Sequence, residues 1–360
     1  MIRMSARYAL LAFLTVTILA AAICILLGIL PGNAIGSHPP LSPAPVTPPA
    51  LSSPSASPTL FIEPGDGRMP ITNAIDNATR TVNLTIYNLN DPEIVDALVR
   101  AVKRGVSVRV IYNADKSDSL TKIPSSIKTL KAAGAQVRPG LAVFPKTHQK
   151  TFTIDGNYSL VMTCNLKPDT FTSTRDFIVT TREPSEVAEI QEVFDADWND
   201  RPASYRVPTL VWSPDHARAT ILSLTDKAHT SIVIYNENLQ DTEVIDHLIT
   251  AAFRGVSVRV LVPGQPKDDK KRREAAEKLI RGGVGVREGT SYYVHAKVLV
   301  ADYDAVSRQA FAGSQNFEAQ HLDKDRELGI LVQDQEILAR IHNTFEEDWE
   351  TRSQPVPPGE

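Results

Sequence analysis

The segment RGVSVRV stands at residues 104–110 and again at 254–260, an offset of 150 in a chain of 360 residues. A seven-residue identity outside any low-complexity stretch points to an internal duplication, and a duplication constrains the fold more than any composition value. The match extends both ways. TLFIEP at 59–64 aligns with TLVWSP at 209–214, and Asp76 and Ala78 align with Asp226 and Ala228. TIYN at 85–88 is matched to VIYN at 233–236, each closing a β-branched, aromatic run that predicts a strand.

After each strand comes an amphipathic helix, DPEIVDALVRAVKRG at 91–105 and DTEVIDHLITAAFRG at 241–255. Ile94, Ala97, Leu98, Ala101 and Val102 recur at helical spacing, an Asp stands ready to cap the first turn, and a Gly ends the last. VSVRV then alternates into another strand, so RGVSVRV reads as a helix end, its Gly stop and a strand. Strand, helix and strand in this order give a right-handed βαβ unit. A second helix is predicted over 125–133 in one copy and 270–281 in the other. The charge run KDDKKRREAAEKLIRGG mixes both signs, which marks a solvated helix face. The predicted fold class is α/β, with two similar halves, 59–203 and 209–352, related by an approximate two-fold axis.

Residues 1–58 lie outside this repeat. The run 9–30 is uncharged over a length that matches the roughly 20 residues needed to cross a bilayer. Arg3 and Arg7 precede it, so residues 1–30 are read as a signal anchor with the rest of the chain outside the cytoplasm, at a cell surface or in a periplasm. Cleavage would make the product secreted. Residues 31–58 are rich in Pro and Ser and read as an extended linker. Of the two cysteines, Cys24 belongs to the apolar run and Cys164 to the body, so no disulfide is expected. A net charge of -4 supplies no overall basic field for coating nucleic acid.

The chemistry lies further along each copy. THQKTFTID carries His148, Lys150 and Asp155, and VHAKVLVAD carries His295, Lys297 and Asp302, both with the spacing His-x-Lys-x4-Asp. Thr163 and Asn165 follow the first, and Ser314 and Asn316 the second; then come the carboxylates Asp176 and Glu327. A four-residue insertion in the second copy accounts for every difference in spacing. Alternate strand residues face the same way, so each His projects with its Lys. A fixed ammonium beside an imidazole repels a divalent metal and suits an anion. Histidine can attack a phosphodiester, Asn can donate to its oxygens, and a carboxylate can hold an imidazole by its other nitrogen. In-line displacement places nucleophile and leaving group on opposite sides of phosphorus, which two histidines related by a two-fold axis can serve.

These paired motifs, each followed by a Gly-Ser-x-Asn-like element and a carboxylate, resemble the phospholipase D superfamily over residues 59–349. The resemblance implies a phosphohistidine intermediate, no metal and no cofactor. It implies that His148 attacks, that His295 serves as acid and base, and that Lys150, Lys297, Asn165 and Asn316 bind phosphate, with Thr163 and Ser314 beside them. Asp176 and Glu327 complete the catalytic set, and Asp155 and Asp302, at strand ends, are assigned a structural role. Met162 and Thr163 stand where Gly and Ser are usual in the family, and Met162 is expected to add bulk near the phosphate.

The leading expectation is a monomeric phospholipase D that hydrolyses phospholipids at a membrane surface or passes the phosphatidyl group to an alcohol. A cardiolipin synthase-like transferase and a nuclease are the alternatives, and a silent phosphate-binding module is the reading from outside enzymes. His38, His216, His229, His247, His321 and His342 have no counterpart and are read as exposed or satisfied in the core. FDADW at 194–198 and FEEDW at 345–349 are read as repeated packing positions. Tyr292 and Tyr293 are candidates for the entrance.

Overall fold

The computed structural model describes residues 57–114, 123–264 and 270–357. The predicted anchor lies outside the described residues, as does the linker up to residue 56. Among the described residues no helix is long and apolar enough to cross a membrane.

The first half runs β1 (Thr59–Glu63), α1 (Met69–Asp76), β2 (Thr81–Ile86), α2 (Pro92–Lys103), β3 (Ser107–Tyr112), α3 (Ser125–Ala133), β4 (Gln136–Pro139), β5 (Thr151–Ile154), β6 (Tyr158–Met162), β7 (Thr174–Thr181) and α4 (Pro184–Trp198). The second repeats it as β8 (Leu210–Ser213), α5 (Ala217–Lys227), β9 (Ser231–Asn236), α6 (Thr242–Phe253), β10 (Ser257–Val262), α7 (Lys270–Arg281), β11 (Gly285–Gly289), β12 (Tyr293–Val294), β13 (Lys297–Ala301), β14 (Gln309–Gly313), α8 (Ala319–Asp323), β15 (Glu327–Val332), α9 (Gln335–Thr351) and β16 (Ser353–Pro355).

The sheets have matching orders, β1-β7-β6-β5-β2-β3-β4 and β8-β15-β14-β13-β9-β10-β11-β16. In each, the βαβ strands pair in parallel and the hairpin strands antiparallel. Both predicted caps form: Asp91 accepts from the Ile94 amide and Asp241 from the Val244 amide. Gly105 and Gly255 each turn the chain at φ 89°, a conformation that favours glycine, between helix and strand. That is the work of the repeated RGVSVRV.

The structure corrects one alignment. Asp155 donates its amide to the Thr81 carbonyl and Asp302 donates to Ser231, which sets the offset at 150 through β2 and β9. TIYN and VIYN are therefore two positions out of register; Tyr87 corresponds to Glu237. A shift of two preserves the in-out alternation of a strand, so alternation alone does not expose it, whereas the offset of 150 on either side of the strand does.

Apolar side chains form three clusters. One joins α1, α2 and α3 to the first sheet, with Ile71, Leu98 and Phe152 fully buried. Its counterpart holds Ile221, Leu248 and Phe311. The third joins the halves: Leu60, Phe177 and Val193 of the first meet Trp212, Tyr235, Leu328 and Phe345 of the second. Burial of this seam fixes the halves against each other, which the site requires.

Candidate functional site

Each His-x-Lys segment is fastened to the other half. The amides of His148 and Gln149 donate to the Arg326 carbonyl at 2.9 and 2.8 Å, and those of His295 and Ala296 to the Arg175 carbonyl at 3.2 and 3.0 Å. Strand β12, just before His295, pairs in parallel with β7 of the first half. The residues after Arg175 and Arg326 are the two carboxylates. As a result the pairing crosses the seam. His148 Nδ1 lies 2.9 Å from both oxygens of Glu327, and His295 Nδ1 lies 2.9 Å from Asp176 Oδ1.

The arginines before these carboxylates cross as well. Arg175 donates to both oxygens of Asp348 at 2.7 and 2.9 Å, and Arg326 donates to Asp197 at 2.6 Å. Asp197 and Asp348 are the last acids of FDADW and FEEDW. The aromatics Phe194 and Phe345 are buried as expected, but the acids were missed. Their signal was present, since both the Arg and the Asp recur in register.

Burial drives the His148 imidazole well below its ordinary value, with Glu327 only partly offsetting it, so the neutral ring is favoured. Burial opposes charge on Glu327 too, but the His148 and His321 rings outweigh it and hold that carboxyl below the usual range. Asp176 behaves alike: His295 outweighs burial, assisted by Lys297 and the Thr163 hydroxyl. Lys150 has no exposed surface; its Nζ donates to the His148 carbonyl and sits 5.3 Å from the Tyr87 ring centroid. Burial pushes it down to about 7. Lys297, equally buried, has an ion-pair partner at 2.8 Å in Glu237 and donates to the His295 carbonyl.

Asn165 and Asn316 both reach the site. Asn165 Nδ2 is 3.4 Å from His295 Nε2, across the seam, and Asn316 Nδ2 is 3.4 Å from Glu237 Oε2. Thr163 and Ser314, expected beside the phosphate, have their hydroxyls engaged within the protein. Thr163 donates to Asp176 at 2.6 Å and accepts from the Phe177 amide, and Ser314 exchanges hydrogen bonds with Leu328 of the neighbouring strand. Met162 is fully buried in the core. It lies in the first core cluster opposite Ile178, whereas its counterpart Gly313 lies opposite Gly329. A Cβ on Gly313 would come within 2.5 Å of Gln315 Oε1 and of the Gly329 backbone and 2.9 Å of the Phe311 ring, so that glycine allows the two strands and these side chains to pack closely. Asp155 and Asp302 sit at the far ends of β5 and β13 from the histidines. At φ 52° and 53° they gather the amides of Thr79, Arg80 and Thr81, and of His229, Thr230 and Ser231.

Two site residues escaped the sequence. His321, read as unremarkable, is buried, with Nδ1 at 2.5 Å from Glu327 Oε1 and its ring 4.6 Å from that of His148. Its position on α8 corresponds to Thr170, so no repeat flagged it. Glu237 likewise has an unlike counterpart, Tyr87, so the repeat did not flag it. Among the described residues, His148, His321 and Glu327 form one group spaced to hold a metal ion. The Nδ1 atoms of both rings and the carboxylate are engaged with one another, and the buried Lys150 ammonium is one of the charges felt at His148. The donor set is therefore occupied by hydrogen bonds of the kind that orient an imidazole.

A family model described as "Cardiolipin synthase, PLD-like domain" matches residues 71–198 and again 221–349. The chain belongs to this phospholipase D-like family. Cardiolipin synthase 2 of Bacillus cereus is 25% identical over 336 residues, and a cardiolipin synthase of Halalkalibacterium halodurans is 26% identical over 331. Each alignment takes in 79% of this chain but only 63% and 64% of the relative, so the chain spans a little under two thirds of their length. The phospholipase D-like fold recurs in phosphatidylserine synthase from Haemophilus influenzae, with TM-score 0.63 at 15% identity over 82% of this chain and 87% of that one. It recurs also in polyphosphate kinase from Porphyromonas gingivalis, with TM-score 0.65 at 16% identity over 84% and 52%. These structural likenesses concern the fold.

Proposed function

We propose that this chain is a phosphatidyltransferase of the cardiolipin synthase kind, working through a phosphohistidine at His148. The observation that carries the mechanism is the crossed pairing of each histidine with the other half's carboxylate. Glu327 engages Nδ1 of a neutral His148, which leaves the Nε2 lone pair for phosphorus. Asp176 engages Nδ1 of His295, which stabilises that ring when it is protonated.

In the first step Nε2 of His148 forms a bond to phosphorus as the bond to the head-group oxygen breaks, and protonated His295 gives its proton to the departing alkoxide. In the second, neutral His295 takes the proton of an acceptor hydroxyl. The acceptor oxygen bonds phosphorus as the phosphorus–nitrogen bond breaks. Lys150, Lys297, Asn165 and Asn316 hold the phosphate oxygens throughout.

The sequence alone put hydrolysis first; the cardiolipin synthase relatives favour transfer, so the acceptor is read as a lipid alcohol in preference to water. With phosphatidylglycerol as donor and acceptor the products are cardiolipin and glycerol. An N-terminal anchor, itself part of the proposal, would keep the site beside this substrate. Incubation with phosphatidylglycerol vesicles, with plasmid DNA in a parallel reaction, tests the reading. Cardiolipin and glycerol in equal amounts support it. Phosphatidic acid as the main product restores hydrolysis, and nicked DNA with intact lipid replaces it with a nuclease.

A further inference from the structure

The two-fold symmetry of the site is broken in charge beside the two lysines. In the first half that position is Tyr87, whose ring packs at 4.6 Å on His148 and 5.3 Å from Lys150 Nζ. In the second it is Glu237. Its Oε2 takes the Lys297 ammonium at 2.8 Å and the Asn316 amide at 3.4 Å, and stands 3.7 Å from His295 Nε2. Lys297 and Asn316 are the second half's share of the proposed phosphate cradle, and His295 is the proposed acid and base. A carboxylate oxygen thus occupies the place that a phosphate oxygen needs.

Glu237 is held there as an anion. Burial opposes its charge, but Lys297 and His295 outweigh it and keep the carboxyl below the usual range. Outward, Oε1 accepts from the Tyr293 hydroxyl at 3.2 Å, and Tyr293 is 39% exposed. A route away from Lys297 therefore leads toward the surface. Asp176 and Glu327 are committed to the rings of His295 and His148, whereas Glu237 is the carboxylate that meets the cradle groups Lys297 and Asn316 directly.

We propose that Glu237 is a specificity-determining residue that selects singly charged phosphodiesters over doubly charged phosphomonoesters. A diester exchanges one negative charge for another at Lys297 and Asn316. A monoester brings a second charge against the displaced carboxylate, which stays tethered nearby, and like charges at such range repel. Donor lipids and a transferred phosphatidyl product are diesters, whereas phosphatidic acid is a monoester and would be expelled. The inference rests on the phosphodiester reading of the site.

The test is equilibrium binding, free of turnover, of methyl phosphate and dimethyl phosphate at pH 8, read by phosphorus NMR or calorimetry on the whole chain. Replacing one nearby charge shifts such equilibria by about tenfold or more. Glu237→Gln is expected to raise the preference for methyl phosphate relative to dimethyl phosphate by that factor. Glu237→Tyr, which copies Tyr87, gives a second neutral variant should Gln leave Lys297 too poorly supported to fold. Glu237→Asp is expected to keep the wild-type preference. An unchanged ratio in both neutral variants, or equal weakening of both anions, overturns the role of Glu237. Binding of neither anion to the wild-type chain overturns the phosphodiester reading and this inference with it.

Discussion

Glu327, from the second half, accepts a hydrogen bond from Nδ1 of His148, from the first, with both carboxylate oxygens at 2.9 Å. The two residues are 179 positions apart, and the two-fold-related pair, His295 and Asp176, is 119 apart. Neither half therefore holds a complete catalytic pair.

His321 shares Glu327 with His148, and through it acts as a positioning residue. Loss of one hydrogen bond to a buried charged group costs about 1–3 kcal/mol, or roughly 10- to 100-fold in rate. His321→Ala is expected to lower kcat by that factor with little change in KM, and to shift the pH profile because Glu327 then answers to His148 alone. An unchanged profile and kcat would assign His321 to packing only.

Lys150 is a buried cation whose folded pKa of about 7 lies below the unfolded value of about 10.4. Between those values the unfolded chain binds a proton that the folded chain does not, so this residue makes stability rise with pH from about 7 to about 10. Lys150→Met is expected to abolish activity, to leave stability at pH 7 equal or higher, and to remove that rise. Urea denaturation of both chains at pH 7 and pH 10 measures it. A variant that is less stable at pH 7 would show that the ammonium is better solvated than its burial implies.

Arg175 is buried and donates to both oxygens of Asp348 across the seam. Removing the acid strands that charge, at about 3–5 kcal/mol. Asp348→Ala is expected to lower the urea midpoint accordingly and to impair catalysis, since the Arg175 carbonyl holds the His295 segment. A midpoint equal to wild type would mean that the Glu63 carbonyl, which Arg175 already reaches at 2.8 Å, together with water satisfies the guanidinium.

Much of this arrangement was legible in the sequence because duplication wrote it twice. The His, Lys, Asn and carboxylate positions stood out by recurring in register, and the strand-helix-strand order followed from apolar spacing. The crossed pairing was not legible: spacing reports which face a residue occupies, and which half answers which is decided by the buried seam around Trp212, Tyr235 and Phe345. His321 was invisible because its counterpart is Thr170. Glu237 was invisible for the same reason, since its counterpart is Tyr87. Thr163 and Ser314 had the right hydroxyls for a phosphate, but the neighbouring strand and Asp176 claim them.

In the proposed mechanism one active site is assembled from both halves, with His148 as its nucleophile. Peptide mapping by mass spectrometry after a rapid alkaline quench of the chain turning over phosphatidylglycerol tests it most directly. A phosphatidyl adduct is expected on His148. Glu327→Gln, a change in the other half, is expected to cut adduct formation by about 1,000-fold or more, as when a carboxylate orienting a catalytic imidazole is lost. An adduct confined to His295, or undiminished labelling of His148 in Glu327→Gln, would contradict it.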